Sequence, residues 1–174
     1  MITETLWLVA TRYCNFDCSF CYQGSHKWKW QQEKGLQKMM NSKTLRTALD
    51  WAPQWASRGL RVNWYGGEPL LNAKLMREAM PQWEERFKDL NKELAWSITT
   101  NGSLLKRNMD LLDEHNVGIL LSLDGPPWRH DKQRTYYGDK PTFKDIPIDD
   151  ILAWRPQIEI AWTVCPDNVP TPRS

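Results

Sequence analysis

Residues 61–69 read RVNWYGGEP, a run of strand-forming side chains that stops on two glycines. Residues 61–65 predict a strand, and Gly66 and Gly67 mark its end. Working outward, 74–90 places Met76, Ala79, Met80, Trp83, Phe87 and Leu90 at helical spacing. Pro81 is expected to kink that helix or to start a new one. On the other side, Ser42 is the expected N-cap of a helix that lines up Leu45, Ala48, Leu49, Ala52 and Ala56 and closes at Gly59. Further strands are predicted at 6–10, 95–100, 118–125 and 158–164, with helices at 104–115 and 148–154. Strands separated by helices imply parallel pairing with right-handed crossovers, so the fold class is α/β, a parallel (β/α) barrel or open sheet. Ligands of such folds gather at the carboxyl ends of the strands. Four polar stretches follow predicted strands: the cysteine-bearing loop from residue 14, YGGEP, TTNG and SLDGP. They are expected on one rim, as one site.

A chain of 174 residues is read as one domain. With 41% hydrophobic and 25% charged residues and a mean hydropathy of -0.65, it falls in the soluble globular class. Its longest apolar runs, such as GILLSL at 118–123, are far short of the roughly 20 residues a membrane span needs. MITETLWLVATRY lacks the pattern of a secretory leader, so a cytoplasmic location is expected. A net charge of +2, interleaved with acidic residues, predicts no nucleic-acid surface. KWKWQQEK at 27–34 is the one locally basic, aromatic patch, read as a solvated loop or helix start.

Three of the four cysteines stand together as Cys14, Cys18 and Cys21. Where thiols stay reduced, such a cluster points to metal ligation or catalysis rather than to disulfides. The spacing also fits one face of a helix, but Asn15 and Asp17 favour a loop. Three thiolates can hold three irons of a cubane cluster and leave the fourth iron open. The rival reading is zinc, with His26 as fourth ligand in a binding module without catalysis; its single tight triplet departs from the paired knuckles of common zinc sites. Cys165 reads as a small buried hydrophobe.

With Phe20 as the aromatic in C-x3-C-x-aromatic-C, the triplet resembles the signature of the radical S-adenosylmethionine (radical SAM) enzymes, and Gly66-Gly67-Glu68-Pro69 resembles their second motif. GGEPLL, TTNGSLL and SLDGPPWRHDKQR, in this order, look most like the branch containing anaerobic sulfatase-maturating and SPASM-type peptide-modifying enzymes. The resemblance covers about residues 5–165 of a core domain taken as 1–174. It implies a [4Fe-4S] cluster on Cys14, Cys18 and Cys21, with S-adenosyl-L-methionine on the open iron. Backbone at Gly66 and Gly67 would approach the methionine moiety, and Glu68 would accept from its ammonium group. Ser122 and Asp124 would touch the ribose, Arg134 would pair with the carboxylate, and Phe20 and Val164 would line the adenine pocket. Thr100 and Asn101 are placed near the cofactor. His130 and Asp131, adjacent on a loop, are not expected to act as an acid/base pair. The tryptophans are expected mostly in the core or lining a groove.

The resemblance further implies a peptide or protein substrate and a reducing electron donor such as flavodoxin or ferredoxin. Family cores are open partial barrels of six strand–helix units, so the resemblance implies a parallel (β/α) partial barrel here, incomplete at the C-terminal end, and the SPASM branch adds a cysteine-rich extension not expected in this sequence. The expected explanations are a fragment, a subunit completed by a partner chain, or a short enzyme resembling the glycyl-radical activases and deazaguanine synthases.

Overall fold

The computed structural model describes residues 2, 4–22 and 39–165. In chain order its elements are β1 (Glu4–Thr11), α1 (Ser42–Trp55), β2 (Gly59–Gly66), α2 (Ala73–Asp89), β3 (Glu93–Thr100), α3 (Met109–Glu114), β4 (Gly118–Ser122), α4 (Pro127–His130), β5 (Thr135–Tyr136), β6 (Lys140–Pro141), α5 (Ile148–Trp154) and β7 (Glu159–Ala161). The main sheet runs β1-β2-β3-β4-β7 with every neighbouring pair parallel, while β5 and β6 form a small antiparallel pair. This is the parallel α/β architecture that the alternation of elements predicts, in the partial-barrel form that the resemblance implies.

Side-chain alternation along the strands decides which face carries the helices. Leu60, Val62 and Trp64 of β2, with Trp96 and Ile98 of β3, pack against Met76, Ala79, Met80, Trp83 and Phe87 of α2. Trp64 stacks on Trp96 with ring centres 5.7 Å apart, and Trp83 lies 5.9 Å from Trp96. On the other face, strand register sets Trp7, Asn63, Ser97 and Gly118 in one row. That face is polar: Ser97 Oγ donates to Asn63 Oδ1 at 3.0 Å, and Asn63 Nδ2 to Thr99 Oγ1 at 3.4 Å. A cavity of about 550 Å³ lies against it, bordered by Trp7, Arg61, Asn63, Ser97, Thr99 and Glu159.

Several boundaries differ from expectation. The N-cap of α1 is Asn41, one residue before Ser42, because its side-chain oxygen reaches the Thr44 amide at 2.9 Å. That helix ends at Trp55 with Ala56 as its C-cap, and Gly59 instead opens β2, where a Cβ would sit 2.7 Å from the Glu93 carbonyl oxygen. Pro81 neither breaks nor restarts α2; both Pro81 and Arg77, whose carbonyl loses its amide partner, face solvent. The helix expected at 104–115 divides into a 3₁₀ turn at Lys106–Asn108 followed by α3. β7 stops at Ala161 rather than 164, since the next amides turn to side chains: Thr163 N–H donates to Asp124 Oδ1 at 2.9 Å. Of the described tryptophans only Trp64, Trp83 and Trp96 are buried, and Trp7, Trp51, Trp55, Trp128 and Trp162 are exposed. Cys165, expected buried, is half-buried. His26 and the 27–34 patch lie outside the described residues.

Candidate functional site

The carboxyl ends of β1, β2, β3 and β4 meet through a specific set of bonds. After β1 the cysteine loop runs back over the end of β2, where Gly67 N–H donates to the Thr11 carbonyl and Glu68 N–H to the Tyr13 carbonyl, both at 2.8 Å. A Cβ on Gly66 would collide with the Thr11 carbonyl oxygen, and one on Gly67 with that of Tyr13. Gly66 also sits at φ +131°, a conformation that favours glycine. The two glycines thus admit the chain's own cysteine loop to the strand end.

Glu68, next in line, is wholly enclosed. Its Oε1 accepts from Leu70 N–H at 3.1 Å and from Thr100 Oγ1 at 2.8 Å, and its Oε2 from Asn101 N–H at 2.8 Å. Burial pushes its carboxyl up to about 7, against the pull of those three donors. The carboxylate expected to face an ammonium group is therefore a strut between the ends of β2 and β3. Thr100, equally buried, serves the same joint.

Asn101 carries the joint to the thiols. Its Nδ2 lies 3.7 Å from Cys14 Sγ and 2.9 Å from Asn15 Oδ1, while its Oδ1 accepts from Ser103 N–H and Oγ. Cys14 Sγ also accepts from Phe16 N–H at 3.4 Å. Cys14 is exposed as a residue, yet protein crowds its sulfur: desolvation pushes the thiol up to about 12, opposed by the Phe16 amide and assisted by Glu68, Cys18 and Cys21. Desolvation likewise raises Cys18 to about 11, with Arg134 pulling it down and Cys21 pushing it up. The three thiols share one electrostatic neighbourhood.

The segment after α4 clamps the other side of the loop. Asp17 N–H donates to the Thr135 carbonyl at 2.6 Å and Ser19 N–H to that of Gln133 at 2.9 Å, while Phe16 packs edge-on against Tyr136. Arg134 lies over the Phe20 ring at 5.0 Å and forks onto Asp124, Nε to Oδ2 at 2.7 Å and Nη2 to Oδ1 at 3.0 Å. Nη2 also reaches Thr163 Oγ1 at 3.0 Å, which leaves Nη1 without a bond among the described residues. Asp124 is fully buried; desolvation raises its carboxyl, but Arg134, the Thr163 amide and Gln133 outweigh it and the net direction is down. Asp124, expected at the ribose, holds Arg134 instead.

Ser122 ends β4, half-buried, with its hydroxyl unbonded among the described residues. Val164 lies beyond β7 and is exposed. His130 is enclosed; its Nδ1 accepts from Asp124 N–H at 3.3 Å and its Nε2 has no partner among the described residues. No acid/base pairing with Asp131 forms, since the Asp131 carboxylate caps the Thr142 and Phe143 amides. From sequence Asn15 reads only as a loop former, and Ser103, Gln133, Thr163 and Tyr65, which hydrogen-bonds Tyr22 near Cys21, carry no signal. Only proximity along the chain to known motifs could have suggested them.

A model described as the Radical SAM superfamily matches residues 8–146. The chain belongs to the radical SAM superfamily. Among curated relatives, a cysteine-type anaerobic sulfatase-maturating enzyme of Clostridium novyi is 27% identical over 139 residues, covering 79% of this chain and 36% of that protein. The radical SAM cyclopropyl synthase TigE of Paramaledivibacter caminithermalis is 25% identical over 138 residues, 73% of this chain and 28% of that protein. A solved structure described as native anSMEcpe with bound AdoMet and Kp18Cys peptide superposes with a TM-score of 0.75 at 22% identity, covering 90% of this chain and 42% of that one. The chain thus spans less than half the length of each of these relatives.

In a radical SAM protein the donor set should suit a cubane rather than a single ion. Among the described residues no three His, Cys, Asp or Glu side chains converge on one metal position. A cubane needs no such convergence, because each thiolate binds a different iron. Three thiols on one loop, with Cys14 raised by Cys18 and Cys21 and Cys18 raised by Cys21, fit that group.

Proposed function

We propose that Cys14, Cys18 and Cys21 hold a [4Fe-4S] cluster, and that the rim binds S-adenosyl-L-methionine for radical chemistry on a peptide or protein side chain. Held there, the cluster would supply the electron for reductive cleavage of the cosubstrate's sulfonium to methionine and a 5'-deoxyadenosyl radical, chemistry that would remove a hydrogen atom from substrate. The observation that carries this reading is the joint itself: a three-thiol loop bonded to the end of β2 through Gly67 and Glu68, and to the end of β3 through Asn101.

The chain's own residues then divide the remaining work. Gly66 and Gly67 seat the thiol loop, and Glu68 with Thr100 keeps the neighbouring strand ends in register. Arg134, held by Asp124 and stacked on Phe20, keeps Nη1 for an anionic group such as a carboxylate. The Ser122 hydroxyl is open to a sugar hydroxyl. A polypeptide substrate is supported by the polar face of Asn63, Ser97 and Thr99, whose groups can bond an amide backbone, and by the names of the relatives. Electrons would come from a small reduced carrier such as a flavodoxin or ferredoxin, and a partner chain could cover the open side of the sheet.

Anaerobically purified or reconstituted protein is expected to carry about four irons and four sulfides per chain. It should release 5'-deoxyadenosine from S-adenosyl-L-methionine and reductant. Cys14→Ala, Cys18→Ala and Cys21→Ala should each lower iron content, and Cys165→Ala should leave it unchanged. A colourless protein with one zinc per chain, losing it on His26→Ala, would instead establish the zinc module.

A further inference from the structure

The amide of Asn101 is oriented more strictly than a ligand-binding side chain requires. Ser103 N–H, which can only donate, points at one end of it from 3.1 Å, so that end is the oxygen and the other is the NH₂ group. The remaining bonds close a ring in one sense: Asn101 Nδ2 donates to Asn15 Oδ1, Asn15 Nδ2 to Ser103 Oγ, and Ser103 Oγ to Asn101 Oδ1 at 2.7 Å. One Nδ2 hydrogen is used within the ring. The second has the Cys14 sulfur 3.7 Å away. The backbone is held as firmly, because Asn101 N–H is bound to the buried Glu68 carboxylate.

We infer that Asn101 is a tuning residue: its amide donates to the Cys14 sulfur and raises the reduction potential of the cluster held there. Adding an electron to an iron–sulfur cluster increases negative charge on its sulfurs, and an N–H dipole aimed at one of them stabilises the reduced state more than the oxidised one. The Asn15–Ser103 ring keeps that dipole pointed at the sulfur. Glu68 contributes through the backbone, by fixing where Asn101 begins. This assigns to TTNG a role toward the cluster rather than toward the cosubstrate, and it rests on the cluster proposed above.

The test is an EPR-monitored redox titration of anaerobically reconstituted wild type, Asn101→Ala and Asn101→Asp, with iron counted in each. A hydrogen bond of about 1.4 kcal/mol changes the reduced-to-oxidised ratio about tenfold, so Asn101→Ala should lower the midpoint by about 59 mV. Asn101→Asp keeps the acceptor toward Ser103 and replaces the donor by negative charge, so it should lie lower still. Full iron with an unchanged midpoint in either variant overturns the inference. Loss of iron from both also overturns it, because Asn101 would then be a support and not a tuner. Wild type without iron and sulfide overturns the cluster reading itself, which separates the two failures.

Discussion

Two enclosed titratable residues lie behind the rim and oppose each other in pH dependence. Burial raises Glu68 from 4.5 to about 7, so the fold prefers its protonated form and stability falls as pH rises through that interval. Burial first, then the nearby Arg134, lowers His130 from 6.5 to about 4, so the unfolded chain takes up the proton and stability falls as pH drops through that interval. Each amounts to about 3 kcal/mol across its full window. Between pH 4.5 and 6.5 they offset, and cluster-free wild type should show a nearly flat stability in equilibrium urea denaturation. Glu68→Gln should lose stability steadily on acidification through that range, and His130→Gln should gain it. Parallel curves for the three proteins would show that neither group titrates in this way. The burial of neither residue is legible in sequence: Glu68 sits in a motif that invites a ligand role, and its enclosure is completed by Thr100 and Asn101, which only folding brings to it.

At the level of elements, strands and helices were legible where burial enforces a period, as along α2 and β2. Their ends were less so, because ends are set by single hydrogen bonds. Asn41 and Ser42 are both good N-caps by type, and the choice falls to the one whose oxygen reaches Thr44. Asn41→Ala should cost about 1 kcal/mol in chemical denaturation, and Ser42→Ala much less. Pro81 poses the converse case, a residue unsuited to a helix interior that α2 nevertheless contains. Alanine there restores an amide for the Arg77 carbonyl and removes a penalty of up to about 3 kcal/mol, so Pro81→Ala should raise the denaturation midpoint. The β5–β6 pair was not foreseen: two-residue strands leave no periodicity to read, and their position follows from bonds of Asp17 and Ser19 to the Arg134 segment.

Across the whole molecule, the convergence of four strand ends was readable because parallel topology places every such end on one side. Less readable was how far the last strand runs. β7 pairs with β4 over Glu159, Ile160 and Ala161, and no strand pairs with its outer edge among the described residues. Ile160 stands opposite the buried Leu121, on the face that helices cover elsewhere, yet it is 55% exposed. Exposed Trp162 and Trp128 flank the same region, with Arg129 stacked against both rings. An open strand edge bearing apolar side chains is a site for edge-to-edge pairing, and a lysine on such an edge suppresses it. Ile160→Lys should therefore lower the sedimentation-measured self-association of the isolated chain while leaving iron content unchanged, since β7 contributes no thiol to the triplet. Equal association of variant and wild type would mean that the stacked Arg129, Trp128 and Trp162 side chains already protect the edge; a fall in iron content would mean that β7 braces the Asp124–Arg134 clamp through Thr163.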